Sequence, residues 1–360
     1  MAERYREEIT KEIPEVDAVL GTASYGHILD AVDGALAGQS YLKMEPLDTL
    51  PLVNTHRMVT TGGHYAYLKI AEGCDKHCTY CIIPKLRGNF RSVPMEHLLR
   101  EVKQLADDGV KEIILVAQET TLYGKDLYGE KKLPELLRRL CKISGIRWIR
   151  ILYCYPEEIT EELIQTIKEE PKICHYLDLP IQHASDDVLK RMGRRTSKEE
   201  LIHIISRIRE EIPDITLRTT LITGFPGESK EQHEELMDFV DEMAFGRLGV
   251  FTYSAEDGTP AAQMPDQVEE SVKEARRAEL MELQQEIAFD QAEQMIGREV
   301  LVMIEGKVAD ENAYVGRTYK DAPNVDGLIF VNTDTELLSG DFAKVRVTGA
   351  CEYDLIGELM

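Results

Sequence analysis

From Tyr65 onward, short apolar runs alternate with longer stretches in which apolar residues recur every three to four positions. The runs at 65–71, 112–116, 148–152, 173–179, 216–222 and 249–253 predict strands. The stretches at 94–108, 133–143, 160–169, 198–212 and 229–243 predict helices between them. Ser92 ahead of Pro94 and Glu96, and Thr160 ahead of Glu161 and Glu162, read as helix starts, while Gly109 and Gly145 stand where helices should stop. Strands alternating with helices predict a parallel sheet, and right-handed crossovers curl it toward a partial (β/α)6 barrel of the TIM type. In such barrels the chemistry sits at the C-terminal ends of the strands.

The flanks read differently. Before residue 60 the pattern supports one strand at 16–20 and one helix at 28–37, too little to bury both of their own faces. Residues 44–57, with Pro46 and Pro51, read as a linker. Residues 269–294 predict one long helix packed outside the barrel, with Leu280, Leu283 and Ile287 as its apolar stripe. After Gly297 the period shortens. Five runs, at 300–304, 314–318, 328–331, 343–347 and 353–359, predict a small antiparallel β-barrel. The fold class is therefore α/β, with expected divisions at 1–60, a remnant α/β segment plus linker, 61–292, the barrel core, and 293–360, the small β-barrel.

Composition narrows the function classes. The apolar share of 43% supplies real cores, and the formal charge of -23 argues against a general nucleic-acid binder, since phosphate contacts need Lys and Arg. No apolar run approaches the ~18 residues of a membrane span, and the N-terminus carries no secretory pattern, so a cytoplasmic protein is expected. Seven cysteines, three clustered and four scattered, do not form a disulfide framework. The scattered ones, Cys141, Cys154, Cys174 and Cys351, read as small buried hydrophobes.

The clustered ones carry chemistry. Cys74, Cys78 and Cys81 stand four and three residues apart just after the first strand of the rhythm. Three thiolates on one loop can grip a soft metal centre. An iron–sulfur cube needs four ligands, so three cysteines leave one iron open. The competing reading is a structural zinc knuckle completed by His77 or His64, without a second Cys-x2-Cys pair to support it.

The spacing Cys-x3-Cys-x2-Cys, with Tyr80 just before the last cysteine, resembles the radical S-adenosylmethionine superfamily. The resemblance implies that Cys74, Cys78 and Cys81 hold a [4Fe-4S] cluster whose open iron binds S-adenosyl-L-methionine, the source of a deoxyadenosyl radical. It also implies roles at strand ends. Gln118 and Glu119 stand where the superfamily's Gly-Gly-Glu meets the amino group of S-adenosylmethionine, although that motif is replaced here. Arg194, in Arg191-Met192-Gly193-Arg194-Arg195, is the implied partner of its carboxylate. Gly224 and Gly227, in 222–228, are implied to pack on adenine, and 251–261 to complete that pocket. Gln182 and His183 of 179–185 would face the barrel mouth. No catalytic residue beyond the cluster is implied.

Together 73–84, 179–185, 222–228 and Tyr253 with Gly258-Thr259-Pro260-Ala261 are similar to the methylthiotransferases, which insert sulfur into an unactivated C–H bond and methylate it. The terminal barrel then resembles their substrate-binding TRAM domain. One branch modifies isopentenyladenosine in tRNA; the other modifies the β-carbon of an aspartate in small-subunit ribosomal protein S-twelve. The stretch 316–327, Gly-Arg-Thr-Tyr-Lys-Asp-Ala-Pro-Asn-Val-Asp-Gly, is similar to the second branch. Six Lys/Arg against twelve Asp/Glu over 297–360, net -6, suit a basic ribosomal protein better than tRNA. The implied partners are S-twelve or the small ribosomal subunit and an electron donor such as flavodoxin or ferredoxin. A zinc-bound adaptor for a basic partner is the non-enzymatic alternative. In the family a preceding domain supplies three more cysteines for a second cluster. Met1-Ala2-Glu3-Arg4-Tyr5 resembles the sequence just after them, so an N-terminally truncated chain is expected, able to cleave S-adenosylmethionine but with full activity in doubt.

Overall fold

The computed structural model describes residues 1–49 and 57–360, so the linker expected at 44–57 lies partly outside the described residues. The chain opens with α1 (Ala2–Tyr5) and α2 (Glu7–Glu12), followed by β1 (Ala18–Leu20), α3 (Ile28–Leu36) and β2 (Tyr41–Lys43). β1 and β2 pair in parallel, Val19 opposite Leu42. Three residues are too few to display a period, which is why the pattern missed β2. This segment leans on the core through Arg4 Nη1, 2.9 Å from Glu256 Oε2, and through the Thr22 hydroxyl, which donates to Leu86 O.

The core follows the predicted rhythm. Its strands are β3 (Tyr65–Lys69), β6 (Glu112–Val116), β7 (Trp148–Ile151), β8 (Ile173–Asp178), β9 (Thr216–Thr223) and β10 (Arg247–Thr252). They lie in the order β10-β9-β8-β7-β6-β3, parallel throughout and open between the two outer strands. Between β3 and β6 come β4 (Ala71–Glu72), α4 (Ile83–Arg87), β5 (Arg91–Ser92) and α5 (Met95–Asp107). The remaining helices are α6 (Lys125–Tyr128), α7 (Leu133–Cys141), α8 (Glu161–Glu169), α9 (Asp186–Arg191), α10 (Lys198–Glu211), α11 (Lys230–Met243) and α12 (Glu270–Glu293). The Thr160 hydroxyl caps α8 by accepting from Leu163 N, as expected. Ser92 does not cap α5; it lies in β5 and donates to Asp126, and α5 starts after Pro94.

Alternation along the strands sorts the two faces. Ala66, Leu68, Ile113, Leu115, Ile149, Ile151, Leu177, Leu217, Leu221 and Val250 pack with the helices into one buried core. The intervening residues, among them Tyr67, Arg150, Tyr176, Asp178, Arg218 and Phe251, line the opposite, polar face. α12 packs outside as expected: Leu280 is buried, Leu283 and Ile287 pack against the core, and Lys273, Arg276, Gln284, Ala288 and Ala292 are buried beside them. The buried cations along it answer carbonyls and carboxylates of the barrel rim. Of the scattered cysteines, Cys141, Cys154 and Cys174 are buried and Cys351 is exposed, the last against expectation.

The terminal barrel is closed: β11 (Glu299–Lys307), β12 (Ala313–Arg317), β13 (Ile329–Asn332), β15 (Asp354–Leu359) and β14 (Phe342–Cys351), in that order. It is not wholly antiparallel, because β13 and β15 pair in parallel. It seats on the N-terminal ends of the core strands. Phe342 stands edge-on to Trp148 at 4.9 Å, Lys111 Nζ donates to Gly340 O, and Arg317 Nη2 donates to Glu112 Oε2 at 2.7 Å. The stretch 316–327 lies in this seam. Tyr319 O accepts from Arg150, Asp321 pairs with Arg247, Asn324 donates to Tyr65 Oη and Asp326 accepts from Tyr176 Oη. These contacts clasp the terminal barrel to the core. Among the described residues no helix is long and apolar enough to cross a membrane.

Candidate functional site

The three thiols sit on the loop from β4 to α4, at the C-terminal end of the barrel, as the strand-end rule requires. Gly73 opens the loop at φ 81°, where a Cβ would stand 2.1 Å from Asn89 O. Its N–H donates to Gln118 Oε1 at 2.8 Å. Thr79 N and Oγ1 donate to Met192 O and Arg191 O, and Thr79 O accepts from Ala261 N, so two neighbouring loops clamp the middle. Cys74 and Cys78 are buried, Cys81 is partly exposed, and none forms a disulfide. Burial pushes the Cys74 thiol up to about 11 and raises that of Cys81.

Such thiols lose their protons only to a strong cation, which is the donor chemistry of a soft metal centre. Among the described residues no three His, Cys, Asp or Glu side chains are grouped to hold a single metal ion. A multi-iron cluster takes each thiolate on a different iron, so its thiolates need not converge on one point.

Unpartnered buried polar atoms ring this loop. Arg194 is 8% exposed; Nη2 donates to Pro180 O at 3.0 Å, while Nε and Nη1 have no partner among the described residues. Its guanidinium stacks on the Tyr155 ring at 4.3 Å, and Tyr155 Oη lies 3.8 Å from Cys78 Sγ. Glu119 is fully buried. Its Oε1 accepts from Thr121 N and the Thr121 hydroxyl, and Oε2 is left without a hydrogen bond, 4.0 Å from Lys76 Nζ. Burial raises its carboxyl to about 7. Lys76 is itself tied to Glu158 and Glu157. A buried guanidinium with two free N–H groups and a buried carboxylate with one free oxygen thus flank one thiol loop. That is the complement of a zwitterion.

The other expected residues divide. Tyr80 packs its ring edge-on to Phe225 at 6.5 Å, and Phe225 meets Tyr253 at 5.3 Å, joining the cysteine loop to the loops after β9 and β10. Gln118 is consumed in holding Gly73. Gly224 and Gly227 both have positive φ, 70° and 75°. The close approach at Gly224 is to Lys273, whose Cγ would lie 2.2 Å from a Cβ there. Gln182, at φ 72°, and His183 are buried, and His183 Nδ1 accepts from Ser185 N instead of facing the mouth freely.

Sequence reading missed Tyr155, Lys76 and the hub at Glu228, which accepts from Phe225 N and Arg276 Nη1. It also missed Tyr153, held at φ 64° and 47% exposed. The signal was available. Tyr153-Cys154-Tyr155-Pro156 ends the third core strand, and the strand-end rule applied to the other strands covers it equally.

A family model for the Radical SAM superfamily matches residues 68–240, and one for the TRAM domain matches 296–360. The chain is similar to the ribosomal protein uS12 methylthiotransferase RimO of Lachnoclostridium phytofermentans, 64% identical over 99% of this chain and 81% of that protein. It is also similar to the protein of the same name from Desulfitobacterium hafniense, 47% identical over 100% of this chain and 81% of that one. Among solved structures, the radical S-adenosylmethionine methyltransferase TsrM of Kitasatospora setae aligns at a TM-score of 0.47 and 16% identity, over 55% of this chain and 38% of that one.

Proposed function

The chain belongs to the ribosomal protein uS12 methylthiotransferase family of radical S-adenosylmethionine enzymes, and on that premise we propose that it methylthiolates the β-carbon of an aspartate in uS12. Cys74, Cys78 and Cys81 would hold the [4Fe-4S] cluster, and the core at 61–292 would carry the reaction, between the segment 1–60 and the TRAM barrel at 293–360. The cluster with S-adenosyl-L-methionine supplies one-electron chemistry strong enough to activate an unreactive C–H bond.

The chain's own residues do the positioning. Arg194 presents Nε and Nη1 to the methionine carboxylate, and Tyr155 fixes the plane of that guanidinium from below. Glu119 Oε2 accepts from the ammonium, which restores the ionised form that burial opposes. Gln118 locks the loop at Gly73, and Phe225 with Tyr80 and Tyr253 walls the base side. The observation that carries the reading is the coincidence of three thiols on one loop, two of them buried, with the unsatisfied ends of Arg194 and Glu119. A donor of the flavodoxin or ferredoxin type would deliver the electron at the partly exposed Cys81 side.

Anaerobic reconstitution with iron and sulfide tests it. The intact chain should take up about one cube, and its spectrum should change on adding S-adenosylmethionine. Cys74→Ala should lose both. A chain that binds zinc but no iron, or cleaves S-adenosylmethionine unchanged as Cys74→Ala, would sink the assignment. Binding to uS12 but not to tRNA separates the two branches, and the TRAM barrel's net charge of -6 over 297–360 favours the basic protein.

A further inference from the structure

At the closed end of the core, where α10, the C-terminal end of α12 and the β12–β13 loop meet, a cleft of about 350 Å³ opens, lined by Arg209, Thr216, Gln291, Arg298 and Lys320 among others. A smaller recess shares Thr216, Gln291 and Lys320 with it and reaches Arg247 and Asp321. Elsewhere on this acidic chain many cations are paired with carboxylates; here three are not. Lys320 Nζ donates only to Thr216 Oγ1 at 3.3 Å. Arg209 Nη2 donates to the carbonyls of Met243 and Ala244 and meets no carboxylate. The Arg298 guanidinium has no partner among the described residues.

The acids nearby are engaged. Asp321 pairs with Arg247 and accepts from the Thr318 hydroxyl, and Asp214 pairs with His175 and accepts from Tyr319 Oη. Burial lowers the pKa of Lys320, and Arg247 and Arg298 push the same way against Asp321 and Asp214. Three cations drawn from three elements, with a hydroxyl between them, stand in one concave space without a counter-ion. A protein of net charge -23 has every electrostatic means to neutralise them internally, and does not.

We propose that this cleft binds a phosphate group, free or carried on an ester. Guanidinium forks and an ammonium on different sides suit a tetrahedral group with several anionic oxygens better than a planar carboxylate. The volume exceeds what one phosphate fills and accommodates an ester-linked group of nucleoside size. The site lies at the opposite end of the strands from the thiol loop, so it docks a ligand and takes no part in the radical chemistry. It stands or falls independently of the cluster assignment.

Phosphorus NMR on the full chain at matched ionic strength tests it, with inorganic phosphate and a short oligoribonucleotide as probes. Against the intact chain one or both signals should broaden saturably. Arg298→Ala, an exposed change that leaves the fold intact, and Lys320→Ala should each weaken the apparent affinity at least tenfold. Lys344→Ala, an exposed lysine elsewhere on the terminal barrel, should leave it unchanged. Broadening by inorganic phosphate alone identifies a free phosphate, and a response confined to the oligoribonucleotide identifies a backbone phosphodiester; either supports the site. No saturable broadening, or equal weakening by all three substitutions, overturns it.

Discussion

Arg317 and Glu112 lie 205 residues apart in the chain, yet Arg317 Nη2 donates to Glu112 Oε2 at 2.7 Å with both side chains almost wholly buried. Glu112 Oε1 also accepts from Arg150 Nε at 2.8 Å, and Arg317 Nε donates to Glu305. Burial pushes the Glu112 carboxyl up, but Arg150 and Arg317 outweigh it and hold it below the ordinary carboxylate range. One glutamate at the foot of β6 therefore locks the TRAM barrel onto the core. Glu112→Gln leaves two buried guanidinium groups facing a neutral amide. It should cost about 3–5 kcal/mol in urea unfolding at neutral pH. The depressed acid contributes above its unfolded pKa and loses that contribution as pH falls, so the deficit should shrink in acid. A loss under about 1 kcal/mol would mean the seam is held mainly by Trp148 and Phe342.

That seam also marks where sequence reading stopped. The six core strands and the five later helices were legible within a few residues, because one buried face imposes period two or 3.6 on the chain. The cysteine loop was legible because its spacing is local. The polar face was not. Arg150, Tyr176, Arg218 and Glu112 sit in strands whose apolar neighbours set the period, and their partners lie far along the chain, on 316–327. Glu228 escaped for the same reason, since it acts through contacts that only the closed fold creates.

Arg194 offers a direct test of the cofactor pocket. Arg194→Gln removes the cation beside Tyr155 but no cluster ligand. Iron content should stay near the intact level, while S-adenosylmethionine affinity, read from the spectral change on titration, should fall by roughly 2–3 kcal/mol, some thirty-fold or more. Equal affinity in the variant would remove Arg194 from the pocket.

Gly224 and Gly227 share a left-handed backbone but differ in surroundings. At Gly224 a Cβ would meet Lys273 Cγ at 2.2 Å and Cβ at 3.0 Å, the fixed base of a side chain whose Nζ donates to Tyr253 O. At Gly227 the nearest atom, on Arg191, is 3.6 Å away. Gly227→Ala should therefore cost only the conformational ~1–2 kcal/mol. Gly224→Ala should cost about 2–4 kcal/mol, because Lys273 must also move. Urea midpoints that rank the two in the reverse order would contradict this account of the loop.

His183 supplies a pH signature. It is fully buried, and its pKa is lowered to about 3 by burial first, then by His233, Arg191 and Arg276. Glu228 Oε2, 3.9 Å away, is already committed to Phe225 N. Below about pH 6.5 the unfolded histidine takes a proton that the folded one refuses. Its contribution is thus complete above that pH and lost as pH falls toward 3, by up to ~1.4 kcal/mol per unit. Unfolding free energy measured from pH 7 to 5 should decline more steeply for the intact chain than for His183→Gln. Parallel profiles would show that His183 charges in place.

Tyr153 carries strain with a free side chain. Its backbone, at φ 64°, is pinned because N–H donates to Asp178 Oδ2 and its carbonyl accepts from Thr120 N and Oγ1. The residue is 47% exposed on the barrel's inner face, within the electrostatic reach of Asp178, Cys81, Arg194 and Arg218. Phe251, 60% exposed, shares that face and approaches Arg218 across Gly249. A left-handed tyrosine costs about 1–2 kcal/mol that glycine would not incur. At the end of β7, on the thiol-loop side of the barrel, the ring would meet a substrate chain brought to the cluster. Tyr153→Gly should leave stability unchanged or raise it, and leave S-adenosylmethionine binding intact. The dissociation constant for a uS12 peptide bearing the aspartate proposed above as the target should rise at least tenfold, as expected when a stacking aromatic is removed. Lower stability with unchanged peptide affinity would make the tyrosine a structural plug.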